Sequence, residues 1–218
     1  MSSVLGAGAE FARGGRLPRS ARRKQLLAAA QEVFVANGYH AAAMDDIAER
    51  AGVSKPVLYQ HFPGKLELYL ALLDTQADAL AKSVHAALAA TEDNQRRVHG
   101  VLTAYFDFVS RDEGGGAYRL IFETDLGNDP AVRRRLEGMT RKVMENVAAT
   151  VASDTGLSRD EAQLLAMALT GAAQVAASWW LDTDGPVSQA DAVRLLESLL
   201  WRGISNFPRH GEHSSSQP

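Results

Sequence analysis

The sequence contains no cysteine among its 218 residues. This excludes disulfide bonds, thiol catalysis and thiolate metal sites, and it agrees with a reducing cytosol. No apolar run reaches the roughly 18 residues that a membrane-spanning helix needs. The N-terminus also lacks the apolar segment and cleavage site of a secretion signal. We therefore expect a soluble, cytoplasmic protein with no membrane partner.

Basic residues are concentrated near the N-terminus, although the formal net charge of the chain is only −3. Between positions 11 and 65 there are nine Lys or Arg and four Asp or Glu, so this segment carries +5 and the remainder carries −8. A basic end on an acidic body is typical of a protein with one surface that faces a polyanion. The alternative is chance variation of charge along the chain.

Helical periodicity dominates the sequence and predicts an all-α fold of about nine helices. Residues 1–18 are rich in Gly, Ala and Ser and are interpreted as a flexible basic arm, and residues 208–218 as a disordered tail. Ser20, Ser54, Ser158 and Ser188 are the predicted helix caps. The predicted helices cover about 20–37, 45–51, 54–62, 65–90, 95–111, 117–125, 131–153, 158–182 and 189–206.

Two short helices within residues 44–62 have the pattern of a helix-turn-helix. Gly52 supplies the conformation of the turn, and Ala48 is small where the helices cross. Val53, Leu58 and Phe62 share the inner face of the second helix. The side chains on its outer face, which would enter the major groove of DNA, belong to Lys55, Pro56, Val57, Tyr59, Gln60 and His61.

The residues of this segment resemble the signature of the TetR family of bacterial transcription regulators. The matching pattern is Asp46-Ile47-Ala48-x-x-Ala51-Gly52-Val53-Ser54-x-x-x-Leu58-Tyr59-x-His61-Phe62-x-x-Lys65, preceded by Ala30-x-x-Val33-Phe34-x-x-x-Gly38-Tyr39. The resemblance covers about residues 20–75. It implies a DNA-binding domain over 19–65 and an effector-binding and dimerisation domain over 66–207. The implied partners are double-stranded operator DNA, a second copy of the chain and an apolar small-molecule effector.

The resemblance also implies roles for individual residues. Lys55 and Val57 occupy positions that contact bases or phosphates. Tyr59 occupies a position that contacts the DNA backbone, and His61 one that supports the same contact. Lys65 occupies a position that binds a phosphate. The full predicted DNA-binding set is Ser54, Lys55, Pro56, Val57, Tyr59, Gln60, His61 and Lys65. The chain departs from the family in having Ala41-Ala42-Ala43-Met44 where a capping Thr is common, so that cap and its phosphate contact stay open, and Asp45 is the alternative start.

A basic arm is a further candidate for DNA contact. Its cations are Arg13, Arg16, Arg19, Arg22, Arg23 and Lys24. Such an arm either reaches into the minor groove or only increases solubility.

Aromatic clusters and isolated polar residues beyond position 90 are candidates for an effector pocket. They are Tyr105, Phe106, Tyr118, Phe122, Asn146, Thr170, Gln174 and Trp179. The alternative for each aromatic residue is ordinary core packing. Helices 158–182 and 189–206 are the predicted dimer interface by family resemblance, and a monomer in which they close only their own core is the alternative.

Two segments, 118–123 and 186–193, are similar to TetR-type regulators of fatty-acid synthase genes, which respond to long-chain acyl-CoA. This resemblance implies control of lipid or fatty-acid genes by an acyl-CoA-like ligand. The alternative is a repressor of an efflux or catabolic gene that responds to another apolar molecule.

Two other classes of protein are less consistent with the sequence. An enzyme is disfavoured because neither His-Glu-x-x-His nor Gly-x-Ser-x-Gly occurs, and we expect no cofactor and no metal. A purely architectural DNA-binding protein would not need an apolar body of this size. An internal cavity would distinguish a ligand-responsive regulator from that last class.

Overall fold

The computed structural model describes residues 17–111, 116–122, 126 and 128–203, with only the backbone described at 117, 121 and 122. Nine helices and no strand occur in those ranges, which confirms the all-α prediction. The predicted arm lies outside the described residues up to position 16, and the predicted tail lies outside them entirely. The helices are α1 (Arg19–Ala41), α2 (Met44–Arg50), α3 (Lys55–His61), α4 (Lys65–Ala89), α5 (Asn94–Ser110), α6 (Gly116–Phe122), α7 (Pro130–Thr155), α8 (Arg159–Asp182) and α9 (Gln189–Arg202).

Helix α1 differs from the prediction at its start and from regular helical geometry near its end. Its cap position is Pro18, whose carbonyl accepts the Arg22 N–H at 2.9 Å, so the prediction of a Ser20 cap is wrong. At Gly38 the backbone leaves the helical region (φ 71°, ψ 166°), a left-handed φ that favours glycine. The predicted end of the regular helix at this glycine is therefore confirmed, and only a short turn continues to Ala41.

The caps of the later helices follow their sequence signals more closely. Ser158 and Glu161 form the predicted reciprocal capping box of α8, and the Ser188 hydroxyl accepts the Asp191 N–H at 3.1 Å to cap α9. Ser54 occupies the cap position of α3, but its side chain makes no capping hydrogen bond. Helix α2 begins at Met44, where the Asp46 carboxylate accepts the Ala43 N–H at 3.3 Å. An acidic side chain thus satisfies one of the free donors at this helix start.

Helix α4 links the helix-turn-helix to the rest of the chain. Its 25 residues span about 38 Å at ~1.5 Å per residue, and it packs on α1, α5, α6 and α7. Ion pairs from Asp74 to Arg135 and from Asp78 to Lys142 join it to α7. Helix α6 also packs on α1, and a Cβ at Gly116 would lie only 2.9 Å from Val35 Cγ2. Helices α1, α4 and α6 therefore meet where the two predicted domains join.

Helix α8 buries one face of small residues and exposes an apolar face opposite. Its buried positions are Ala162, Ala166, Thr170, Ala173 and Ala177. Leu164, Met167, Val175 and Trp179 are exposed, and their spacing of three to four or eight residues places them along one side of the helix. Among the described residues, α8 is the one helix long and apolar enough to cross a membrane, with 22% of that window buried. An exposed apolar face of this length is typical of an interaction surface.

Candidate nucleic-acid interface and effector cavity

Helices α2 and α3 form the predicted helix-turn-helix. Gly52 adopts φ 62° in the turn, and the Val53 N–H donates to the Ala48 carbonyl at 3.0 Å. Ala48, Leu58 and Phe62 are buried as predicted. Helix α1 is hydrogen-bonded to this motif, because Gln25 Nε2 donates to the Ala51 carbonyl at 2.8 Å. The turn and the inner face therefore follow from residue size and glycine geometry.

The outer face of α3 leaves most of its predicted DNA-binding side chains accessible. Ser54, Lys55, Pro56 and Gln60 are exposed, Tyr59 is 47% exposed, and Val57 and His61 are half-buried. Seven of the eight predicted DNA-binding residues therefore lie on this one short helix or directly before it.

Lys55 is held by an acidic neighbour from the preceding helix. Its Nζ lies 2.6 Å from Asp45 Oδ2, and both side chains are more than half exposed. The hydrogen bond to Asp45 raises the pKa of Lys55. A phosphate that binds Lys55 must therefore compete with the Asp45 carboxylate.

The first turns of α1 contribute a cationic border beside α3. The Arg23 guanidinium lies 4.4 Å from the centre of the Phe62 ring. Partial burial, and then repulsion by Arg19, Arg23 and Arg22, lower the pKa of His61 and so disfavour its charged form. Four of the six cations predicted to lie in a basic arm, from Arg19 to Lys24, instead belong to helix α1. Arg13 and Arg16 lie outside the described residues.

Lys65 has contacts that the sequence did not indicate. Its ammonium donates to the backbone carbonyls of Tyr39, His40 and Ala42 at 2.8, 3.1 and 2.9 Å. An ammonium has three donors, so in this conformation none is left for the phosphate that family resemblance implied. The partners lie 23 to 26 positions earlier in the chain, which explains why no local pattern revealed them.

A cavity of about 340 Å³ lies between α4, α5, α7, α8 and α9, within the volume range of small-molecule sites. Its wall is mainly Val, Leu, Ala and Thr, and it includes Val101, Val147, Leu169 and Ala173. Arg97, ion-paired with Asp154, and the half-exposed Trp201 also line it. The Arg97–Asp154 pair had no signal in the sequence because 57 positions separate its members.

Of the seven predicted effector-site residues whose side chains the structure describes, only Thr170 lines this cavity. Its hydroxyl donates to the Ala166 carbonyl of its own helix at 2.7 Å. Tyr105, Phe106 and Tyr118 are buried, and the Phe106 and Trp180 rings pack edge to face. Asn146 and Gln174 are half-buried and Trp179 is 58% exposed, while the side chain of Phe122 lies outside the described residues. The assignment of the other seven residues to the effector site therefore stays a prediction.

Known proteins resemble both parts of the chain. The sequence model described as "Bacterial regulatory proteins, tetR family" matches residues 26–72. The "HTH-type transcriptional activator FasR" of Mycolicibacterium smegmatis is 46% identical over 196 residues, covering 90% of this chain and 89% of that protein. Sequence similarity therefore extends from the helix-turn-helix through most of the helical body.

Solved structures agree with the sequence comparison. A TetR-like regulator from Rhodococcus sp. RHA1 is 27% identical, has a TM-score of 0.69, and is matched over 88% of this chain and 100% of its own. The FadR regulator of Bacillus subtilis, solved in complex with stearoyl-CoA, has a TM-score of 0.69 over 83% of this chain and 98% of its own; at 17% identity it shows the shared fold alone.

A helix-turn-helix on an all-helical body defines a one-component transcription regulator, and the comparisons identify its family. The chain belongs to the TetR family of bacterial regulatory proteins. The family prediction is therefore confirmed, and DNA binding and regulation of transcription are the activities of this class.

Proposed function

We propose that this chain is a homodimeric regulator of lipid genes that binds a near-palindromic operator and responds to a long-chain acyl-CoA. The observation that carries the ligand class is the apolar cavity of about 340 Å³ in the helical body. A purely architectural DNA-binding protein has no use for such a cavity. The stearoyl-CoA complex of FadR, which has the same fold, supports the acyl-CoA class, and the 46% identical FasR, a transcriptional activator, supports the regulatory role.

The DNA-binding surface is α3 with the residue before it. In this proposal Lys55 and Val57 contact base edges or phosphates, and Tyr59 and His61 contact the DNA backbone. Ser54, Pro56 and Gln60 complete the surface that enters the major groove. The exposed outer face of α3 and the cationic first turns of α1 support this assignment.

The homodimer forms through the exposed apolar faces of α8 and α9. Leu164 and Val175 are each 68% exposed on α8, and Leu195 and Leu199 are exposed on α9. A two-fold axis through these helices presents two copies of α3 to DNA about one helical turn, ~34–36 Å, apart or a multiple of it. The predicted cytoplasmic location agrees with a protein whose partner is operator DNA.

The acyl chain occupies the cavity, and its polar headgroup lies toward the solvent. Each methylene that the cavity buries contributes about 0.8 kcal/mol, roughly a fourfold gain in affinity. We therefore expect acyl-CoA affinity to rise with chain length and then level off where the cavity is full. A short-chain or free coenzyme A binds weakly because the cavity has few groups to recognise it.

Direct ligand binding tests the acyl-CoA class. Trp201 lines the cavity, so tryptophan fluorescence during titration with acyl-CoAs of increasing length reports on occupancy. Ala173→Phe fills the cavity and abolishes the chain-length dependence, whereas Ala86→Phe on the exposed face of α4 is the matched control. Equal affinity for all chain lengths, or an unchanged series in Ala173→Phe, contradicts the acyl-CoA class and leaves another apolar effector.

A further inference from the structure

The ammonium of Lys65 lies where the backbone carbonyls of Tyr39, His40 and Ala42 converge. The three distances from Nζ are 2.8, 3.1 and 2.9 Å. The same ammonium lies 4.6 Å from the centre of the Tyr39 ring, within the range of a cation–π interaction. Lys65 is half-buried, so these contacts replace part of its hydration. Hydrogen bonds that involve a charged donor are stronger than those between neutral groups.

The convergence has a local cause in the chain. Gly38, with φ 71°, breaks the regular hydrogen bonding of α1, and the carbonyls at the end of a helix have no partner within it. A cation at this end is also favoured by the helix dipole. Lys65 thus satisfies carbonyl groups that the glycine break leaves free.

The segment that Lys65 holds leads directly into the helix-turn-helix. Ala42 is followed by Ala43, which caps α2, and α2 packs on α3. Lys65 itself is the first residue of α4, which continues into the effector cavity. One turn later, Tyr69 packs on the same Tyr39 ring, with ring centres 5.1 Å apart. The first two turns of α4 therefore contact the entry to the DNA-reading motif through two side chains, Lys65 and Tyr69.

We infer that Lys65 is a positioning residue for operator binding, which fixes the segment Tyr39–Ala42 and through it the orientation of α2 and α3, and that it is not a phosphate ligand. This inference rests on the proposed binding of operator DNA. It assigns Lys65 a function different from the one that family resemblance implied.

Salt dependence distinguishes the two roles. A phosphate ligand releases counterions, and its removal reduces the slope of log affinity against log salt concentration by about 0.9. Its removal also weakens binding to operator and to non-operator DNA by the same factor. A positioning residue contributes nothing to the slope. Its removal misorients the reading helix, so the preference for operator over non-operator DNA falls while non-operator binding changes little.

The experiment compares Lys65→Met and Lys65→Arg with the control Lys82→Met in the full-length protein. Lys82 is exposed on α4, 17 positions or about 26 Å further along the helix, and its removal deletes the same charge. Operator and non-operator affinities are measured at several salt concentrations, with the active fraction determined by stoichiometric titration. We expect Lys65→Met to lose operator preference by on the order of tenfold with the wild-type slope, and Lys82→Met to retain both.

The Lys65→Arg variant gives a second way to distinguish a positioning residue from a phosphate ligand. Its planar guanidinium serves a phosphate well but does not present three donors from one point to three converging carbonyls. We expect Lys65→Arg to remain defective. A reduced slope in Lys65→Met with full recovery in Lys65→Arg overturns the inference. So does wild-type affinity of the active fraction of Lys65→Met, which would leave only a role in stability.

Hydrogen exchange tests the same inference without DNA. If Lys65 fixes the entry to α2, amides of residues 43–48 exchange faster in Lys65→Met than in wild type, and exchange in α8 is unchanged. If the amides of residues 43–48 exchange at the same rate in Lys65→Met as in wild type, the inference is overturned. If the wild-type protein shows no operator preference, the proposed function fails, yet this measurement still decides whether Lys65 holds the segment.

Discussion

Tyr69 Oη donates a hydrogen bond to the Leu120 carbonyl at 2.8 Å, and this bond joins α4 to α6. The Tyr69 ring also packs edge to face on Phe34 of α1, with ring centres 5.3 Å apart. Tyr69 is buried, so this bond satisfies its hydroxyl donor away from water. One side chain thus connects the helix that starts at the DNA-reading motif with a helix of the effector body.

Tyr69→Phe removes this hydrogen bond while it keeps the ring. We expect the free energy of unfolding to fall by about 1 kcal/mol or slightly more, because the Leu120 carbonyl is left without this donor. We also expect the effector to change operator affinity less than in wild type. The measurements are thermal unfolding and operator affinity with and without ligand. A normal ligand response in Tyr69→Phe would show that coupling does not pass through this bond.

Because Asp45 pairs with Lys55, we expect a mutation that removes the Asp45 carboxylate to increase DNA affinity. Asp45→Asn removes the acidic competitor of Lys55, and an ion pair between two exposed side chains contributes little to the stability of the fold. We expect tighter binding to operator and non-operator DNA with a steeper salt slope, measured by fluorescence anisotropy. Lys55→Ala is the complement, with an altered sequence preference. Unchanged binding in Asp45→Asn would remove Lys55 from the DNA interface.

His61 predicts a pH dependence of operator binding. Its pKa is lowered in the DNA-free protein by partial burial and by Arg19, Arg23 and Arg22. Phosphates beside it favour the imidazolium and raise that pKa, so the complex binds protons more readily than the free protein. Operator affinity therefore increases as pH falls through the interval between the pKa of His61 in the complex and its lower pKa in the free protein. His61→Gln loses this increase, and the exposed His85→Gln keeps it. The same pH profile in both variants would exclude His61 from the interface.

The apolar faces of α8 and α9 predict the effect of a charge at the dimer interface. Val175→Glu or Leu195→Glu places a charge on an exposed apolar position that the proposed partner buries, a costly environment for an unpaired charge. We expect monomers in analytical ultracentrifugation and loss of tight operator binding, because each monomer has one recognition helix. Ala86→Glu on the exposed face of α4 adds the same charge outside α8 and α9. Dimeric Val175→Glu protein would place the interface elsewhere.

Local sequence signals predicted the helices and the helix-turn-helix well. The glycine at position 52 and the capping box at Ser158 act within a few residues, so their geometry follows from the neighbouring sequence. The contacts of Lys65 and Arg97 were not predictable, because they join parts of the chain that only the packing of helices brings together. The effector-site prediction favoured large aromatic residues. Such residues fill space, as Phe106 does, whereas the cavity lies where Val147, Ala173 and other smaller side chains leave space unfilled.

The most direct test of ligand-responsive regulation is operator affinity measured with and without saturating stearoyl-CoA in wild type and in Ala173→Phe. A ligand that binds the DNA-competent and incompetent states differently changes operator affinity by the ratio of its two affinities, typically about 5- to 150-fold. We expect a change in this range for wild type and little or none for Ala173→Phe, with equal ligand-free affinities. Identical operator affinity with and without acyl-CoA in wild type would contradict regulation by this ligand.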